Sequence, residues 1–306
     1  MSILSIQSHV AYGYVGNRAA VFPLQSLGYD VWQVNTVQFS NHTGYGNWTG
    51  MVFDSKHIKD VIFGLKNLGL IKKCRAILSG YLGDSEIGNI ILETLDDWRK
   101  INPNITYLCD PVIGDFDRKV YVRDGILEFF KSSINKASII TPNHFEAEIL
   151  TGMSIKTLSD AKIAVNKLHD LGIKIILITS LNIQDIISSD SITRKKDAPD
   201  NVYVLLSDRT EGGSKSTTDH ISDKIYIGKA KYYDFADCIR GTGDLFSSLF
   251  LGYYLEQTNA AHALERTLYA INNIVNKTWH LGNSELFLFD YDYKSFISNA
   301  ISIEKY

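Results

Sequence analysis

The chain has 306 residues, 45% hydrophobic and 21% charged, with a formal net charge of −3. That balance excludes a disordered or fibrous chain, and it supplies no basic field for nucleic acid or an anionic membrane. No run reaches the ~18 apolar residues that a membrane helix needs. The opening Met1-Ser-Ile-Leu-Ser-Ile-Gln7 lacks the basic start and long apolar core of a secretion signal. Cys74, Cys109 and Cys238 form no C-x-x-C pair and read as small buried hydrophobes in a reducing compartment. The expectation is a cytoplasmic protein.

In chain order, short apolar runs alternate with helical patterns. Ile3–Gln7 predicts a strand and Asn17–Leu27 a helix interrupted or kinked by Pro23. Val31–Val37 predicts a second strand. Ile58, Val61, Ile62, Leu65 and Leu68 recur at helical spacing, so 54–68 predicts an amphipathic helix. Strands follow at Ala76–Ser79, Tyr107–Cys109, Ser138–Ile140 and Ile175–Thr179. Helices are predicted between them at Ser85–Lys100, Asp124–Phe130, from Asn143 to about Leu150, and at Ser159–Leu171. Asn143 with Glu146 three residues on fits a capping box. The Ile175–Thr179 run does not alternate, so it is expected to be buried on both faces.

After Thr179 the pattern changes. Asn182–Asn201 and Ser207–Asp223 are polar, and Val202–Ser207 and Lys224–Tyr233 read as strands, together an antiparallel edge hairpin or lid over 182–237. Helices return at Asp244–Leu255 and Ala260–Lys277. The aromatic tail from Ser284 is expected to pack down. The reading is one α/β domain over 1–306, with a mostly parallel sheet, helices on both faces and a small β edge or lid. Ligands then belong at the carboxyl ends of the strands.

Polar groups stand at those ends. Ser8 follows the first strand. Asp110 ends the Tyr107–Cys109 strand, and Asp115 lies beyond a proline and a glycine. Two carboxylates there suit Mg²⁺, or equally a turn and an exposed charge. Asn143 and Glu146 cap a helix, and Glu146 is also placed to stand behind a metal-bound water. The long polar and aromatic stretch Asn35–Trp48 suits a flat heteroaromatic ligand, or a loop packed on itself. Gly241-Thr-Gly-Asp244 opens a helix, where backbone N–H groups and the helix dipole favour an anion. Asp244 is then either a helix N-cap or a general base. P-loop, dinucleotide-fingerprint, nucleophile-elbow and zinc spacings are absent; Gly13 and Gly16 give only G-x-x-G.

Taken together, Ser5-Ile-Gln-Ser-His-Val10, Gly13–Ala20, Phe22–Gln25, Val37–Tyr45, Ser79-Gly-Tyr81, Cys109-Asp-Pro-Val112, Thr141-Pro-Asn143, Phe145–Glu148 and Gly241–Phe246 resemble the pyridoxal kinase family. They look closer to its eukaryotic-type members than to the bacterial branch. The resemblance implies a ribokinase-like fold and ATP-dependent phosphorylation of the 5′-hydroxymethyl group of pyridoxal. It also implies Mg²⁺, a monovalent cation such as K⁺ or Na⁺, and a cytoplasmic homodimer. By motif match, Ser8, Thr43, Tyr81, Gly243 and Asp244 correspond to substrate contacts, with Asp244 the catalytic base. Asp110, Asn143, Glu146, Thr179, Ser180, Gly241 and Thr242 correspond to the ATP side. Asp110, Asp115, Thr141, Glu146 and Thr179 correspond to positions around the cations. Ser207–Asp237 departs from the family pattern, and Arg240 stands where an apolar residue is expected. The alternatives are a hydroxymethylpyrimidine or sugar kinase of the same fold, or a non-catalytic carrier of pyridoxal or its phosphate.

Overall fold

In the computed structural model, which describes residues 1–183, 185–186, 201–210, 224–236, 239–297, 301 and 303–306, strand alternation decides the layers. Along β1 (Ser2–Val10), Ile3 faces one core while Leu4 and Ile6 face another. The same division recurs on β4 (Cys74–Ser79), with Ala76 and Leu78 opposite Ile77. On β9 (Ile175–Leu181), Ile175 and Leu177 oppose Ile176 and Ile178. Successive side chains point to opposite faces, so a strand apolar at every position must be covered on both.

Six parallel strands form the centre, in the order β9, β8 (Ile139–Ile140), β5 (Thr106–Cys109), β4, β1 and β2 (Asp30–Phe39). Antiparallel strands flank them: β3 (Gly50–Val52) beside β2, and β10 (Asn201–Asp208) then β11 (Lys224–Lys231) beside β9. The expected hairpin therefore extends the main sheet. A short strand from the tail, β12 (Ile303–Lys305), pairs with β11 and was not anticipated from the sequence. A separate hairpin joins β6 (Gly114–Asp115) to β7 (Lys119–Val120). The polar segments 184, 187–200 and 211–223, which carry most of the expected lid, lie outside the described residues.

Helices α2 (Ser55–Asn67), α3 (Ser85–Ile101), α4 (Ile126–Ser133), α5 (His144–Thr151) and α6 (Leu158–Asp170) cover one face. Helices α1 (Asn17–Ser26), α7 (Thr242–Gln257) and α8 (Ala260–His280) cover the other. The first of these runs through Pro23 without ending, although proline has no N–H for the carbonyl four residues back. On α2 only Ile58 and Ile62 are buried, and Val61 and Leu68 face outward, so its apolar face is narrower than the spacing predicted. By contrast α7 buries ten of its 16 residues, as its unbroken apolar run implies. Each fully buried Leu or Phe there contributes about 1.5–3 kcal/mol, which anchors the helix that carries Asp244. The tail packs down through Leu286, Leu288 and Tyr293, while Phe289 stays exposed. Cys74 and Cys109 are buried free thiols, and Cys238 lies outside the described residues. Among the described residues no helix is long and apolar enough to cross a membrane.

Candidate active site

The parallel strands end at one rim, and the N-terminus of α7 meets them there. Ser247, on its second turn, donates to Asp110 just after β5 at 3.1 Å and shares a 2.8 Å hydrogen bond with Thr141 after β8. These buried hydroxyl contacts fix the start of α7 beside the ends of two strands.

The turn before α7 has one solution. Gly241 has φ +80°, and a Cβ there would lie 1.7 Å from the Tyr14 carbonyl oxygen. Only glycine fits. The helix begins at Thr242 with Gly241 at the cap position and no side-chain cap. Asp244 is therefore not the N-cap; it is the third helical residue. The first intrahelical bond runs from Leu245 N–H to Gly241 C=O at 2.9 Å, so the N–H groups of Thr242, Gly243 and Asp244 precede the ladder. A Cβ on Gly243 would meet nothing within 4 Å, so the space above this turn is open.

The Asp244 carboxylate instead accepts the Gly16 N–H. Gly16 is itself wedged against Ser8: with φ +54°, its Cβ would lie 2.2 Å from the Ser8 carbonyl oxygen and 2.4 Å from its hydroxyl. The base candidate and the first substrate candidate thus meet across one glycine. Asp244 keeps part of its surface accessible but is ringed by protein. Its lost hydration outweighs the Gly16 hydrogen bond, and its carboxyl is pushed up to about 6.

Asp110 is buried, and burial pushes its carboxyl well above the usual range, with the charges of Glu146 and Asp244 adding to the effect. Glu146 is buried too and pushed up to about 7, chiefly by burial. Its two oxygens accept the N–H groups of Ile113 at 2.8 Å, Gly114 at 3.3 Å and Asn143 at 2.8 Å. The predicted capping box with Asn143 is present, and Asn143 also donates to Gly114 C=O at 2.8 Å. Glutamine at 146 would set its NH₂ against backbone donors. Glu146→Gln is therefore expected to lose about 1–3 kcal/mol of stability, read by urea denaturation.

Asp115, expected either beside Mg²⁺ or as a turn residue with an exposed charge, is engaged within its own hairpin. Its side chain takes the Arg118 backbone N–H at 2.7 Å and the guanidinium at 2.6 and 2.8 Å. Among the described residues no group of three or more His, Cys, Asp or Glu is arranged to hold a metal ion. Thr179 joins this rim through its N–H to Pro142 C=O at 2.9 Å, and the adjacent Ser180 is exposed with φ +50°.

Ser8 sits at a register shift between β1 and β2. Tyr81 is half-buried against the small cluster of Val10, Val15, Val37 and Phe39. Thr43 is exposed on a single turn of 3₁₀ helix, capped by His42, which accepts the Gly44 N–H at 3.0 Å. Burial first, then Arg118 and Arg240, lower the His42 imidazole to about 4, so it stays neutral and keeps that acceptor.

Tyr14 and Gly16 are site-shaping residues that the sequence reading passed over. Their signal is the G-x-x-G, which fails as a dinucleotide fingerprint and lies in the Gly13–Ala20 stretch that carries the family resemblance, where neither residue was given a role of its own. Arg240 and Glu285 also reach this rim, and no local pattern marks Glu285.

A family model described as phosphomethylpyrimidine kinase matches residues 70–287. Pyridoxal kinase PdxY of Granulibacter bethesdensis is 40% identical over 291 residues, covering 94% of this chain and 93% of its own length. The Rubrobacter xylanophilus enzyme of the same name is 38% identical, covering 94% and 90%. Among solved structures, pyridoxal kinase from Leishmania donovani in complex with ADP and ginkgotoxin superposes with a TM-score of 0.85 at 29% identity, covering 100% of this chain and 99% of its own. Both branches are represented, with the higher identities on the bacterial side. With relatives this similar over nearly the whole length of both chains, the chain belongs to the pyridoxal kinase family.

Proposed function

We propose that this enzyme transfers the γ-phosphoryl group of ATP to the 5′-hydroxymethyl group of pyridoxal, and of pyridoxine and pyridoxamine, forming pyridoxal 5′-phosphate and its analogues in vitamin B6 salvage. One observation carries the reading at the level of residues. Asp244 lies in the first turn of a helix whose leading N–H groups face open space, against a glycine that backs Ser8. An acceptor hydroxyl held by Ser8, Thr43 and Tyr81 would present its proton to Asp244. The N–H groups of Gly241–Asp244 would hold the transferring phosphoryl oxygens by hydrogen bonds and the helix dipole. Chemistry of this kind is positioning plus electrostatic stabilisation. Asn143, Thr179, Ser180 and Thr242 lie on the ATP side.

A cation fits the donor chemistry of this rim, because burial and the charges of Glu146 and Asp244 all raise the Asp110 carboxyl, and a positive charge beside it would offset them. Mg²⁺ would be held by Asp110, with Glu146 and Asp115 acting through water, and would neutralise phosphate charge. Completion of its shell by waters and phosphate oxygens is its usual habit. Oxygens of Thr141 and Thr179 would hold the monovalent ion, K⁺ or Na⁺. The enzyme works as a cytoplasmic homodimer in this reading; the buried free thiols favour a reducing compartment, and light scattering reads the mass.

The deciding experiment measures product from ATP with pyridoxal, a hydroxymethylpyrimidine or ribose. Pyridoxal should be preferred by about tenfold or more in kcat/KM. Preference for the pyrimidine would reassign the acceptor, and no transfer to any of them would favour a carrier.

A further inference from the structure

The contacts around Tyr45 close a ring. Its hydroxyl donates to Glu285 of the C-terminal tail. The other oxygen of Glu285 accepts the Tyr14 N–H at 3.0 Å, and the Tyr14 carbonyl is the group that backs Gly241. Arg240, the neighbour of Gly241, returns to the start: its guanidinium lies 4.6 Å from the centre of the Tyr45 ring and donates to Gly44 C=O at 3.3 Å. Gly44 permits this approach, since a Cβ there would lie 2.9 Å from Arg240 Nε. The turn carrying Thr43 is therefore joined twice to the catalytic turn, once directly and once through the tail.

We infer that Arg240 is a positioning residue that latches the Thr43–Tyr45 turn onto the catalytic turn, so that the acceptor loop closes in register with the anion-binding N–H groups. The inference rests on the proposed kinase reading for what the loop holds, but the latch itself is a property of the free protein. Arg240 acts through the aromatic face and a backbone carbonyl, both of which favour guanidinium over an apolar side chain. An apolar residue at 240 would leave the turn tied only through Tyr45 and Glu285.

Two measurements test it. Amide hydrogen exchange in the free enzyme should quicken about tenfold at residues 44–46 in Arg240→Leu and in Tyr45→Leu, the loss expected for a cation–π contact plus a charged hydrogen bond. The double variant should exchange faster than either single one but by less than the product of their effects, because the two share the cation–π contact while each also breaks one tie of its own. Arg240→Lys keeps a cation over the ring and should recover part of the protection, which separates the latch from a folding defect. In turnover, Arg240→Leu should raise KM for pyridoxal about tenfold and leave KM for ATP within about twofold. Unchanged exchange in the single variants, or effects that multiply in the double one, would overturn the latch. Failure of the wild-type enzyme to phosphorylate pyridoxal would overturn the kinase reading alone, with the exchange result still deciding the latch.

Discussion

Replacing Asp244 by asparagine is expected to lower kcat for pyridoxal phosphorylation about 10²-fold or more while making the protein more stable at neutral pH. The two effects have one cause. Burial pushes the Asp244 carboxyl up to about 6, so the fold favours its protonated form. A raised carboxyl contributes stability that is full at low pH and is lost as pH rises through about 6. Above that the ionised group is held at a cost, and in the proposed role of base that cost would ready it to take a proton. Asparagine reproduces the neutral shape and can still accept the Gly16 N–H. Its gain at pH 7.5 is about 2 kcal/mol, allowing for the part of Asp244 that water still reaches. In the wild type, kcat should rise with pH through a limb near 6, and the variant should lack that limb. Parallel measurement of kcat against pH and of urea midpoints checks both. A variant with near-normal kcat would remove Asp244 from the role of base, and one with a lower midpoint would contradict the burial argument.

What the sequence made legible was whatever is decided locally. The Ile175–Thr179 run has no polar face, so it had to be a strand covered on both sides, and it lies in the parallel centre. Asn143 and Glu146 form the capping box their spacing specifies, because both partners lie within one helical turn. Asp110 was legible as a strand-end carboxylate aimed at the rim. What escaped depends on partners far along the chain. Asp244 looked like an N-cap because a Gly-Thr-Gly-Asp run offers no sign that Tyr14 holds Gly241 at positive φ and moves the helix start two residues earlier. For Asp115 the spacing left either a place beside Mg²⁺ or a turn with an exposed charge, and its carboxylate is engaged by Arg118 three residues on. Glu285 carries no local pattern; it becomes a site residue only when the tail returns beneath the Tyr45 turn. The fold was thus readable from periodicity, while the shape of the site depended on long-range contacts to backbone groups.

Gly241→Ala and Gly243→Ala, two residues apart, are expected to fail in opposite ways. At Gly241 the added methyl would overlap the Tyr14 carbonyl oxygen at 1.7 Å, in a left-handed conformation that alanine resists. Relief requires the turn or the Tyr14 loop to move by more than about 1 Å, a displacement that can cost about 10²-fold in rate when it moves catalytic groups. Backbone strain adds about 1–3 kcal/mol of lost stability. Gly241→Ala should therefore lower kcat and the melting temperature together. At Gly243 the methyl meets no protein atom. Alanine is the better helix former by up to about 1 kcal/mol, so this variant should melt at the same temperature or higher. Its methyl would stand over the N–H groups proposed to receive the phosphoryl oxygens, and kcat/KM should fall about tenfold or more as those hydrogen bonds lengthen. Thermal melts and initial rates on the pair separate the two effects. If Gly241→Ala melts and turns over normally, the Tyr14 contact does not set the catalytic turn. If Gly243→Ala retains full activity, the leading N–H groups of α7 are not where the phosphoryl group is held.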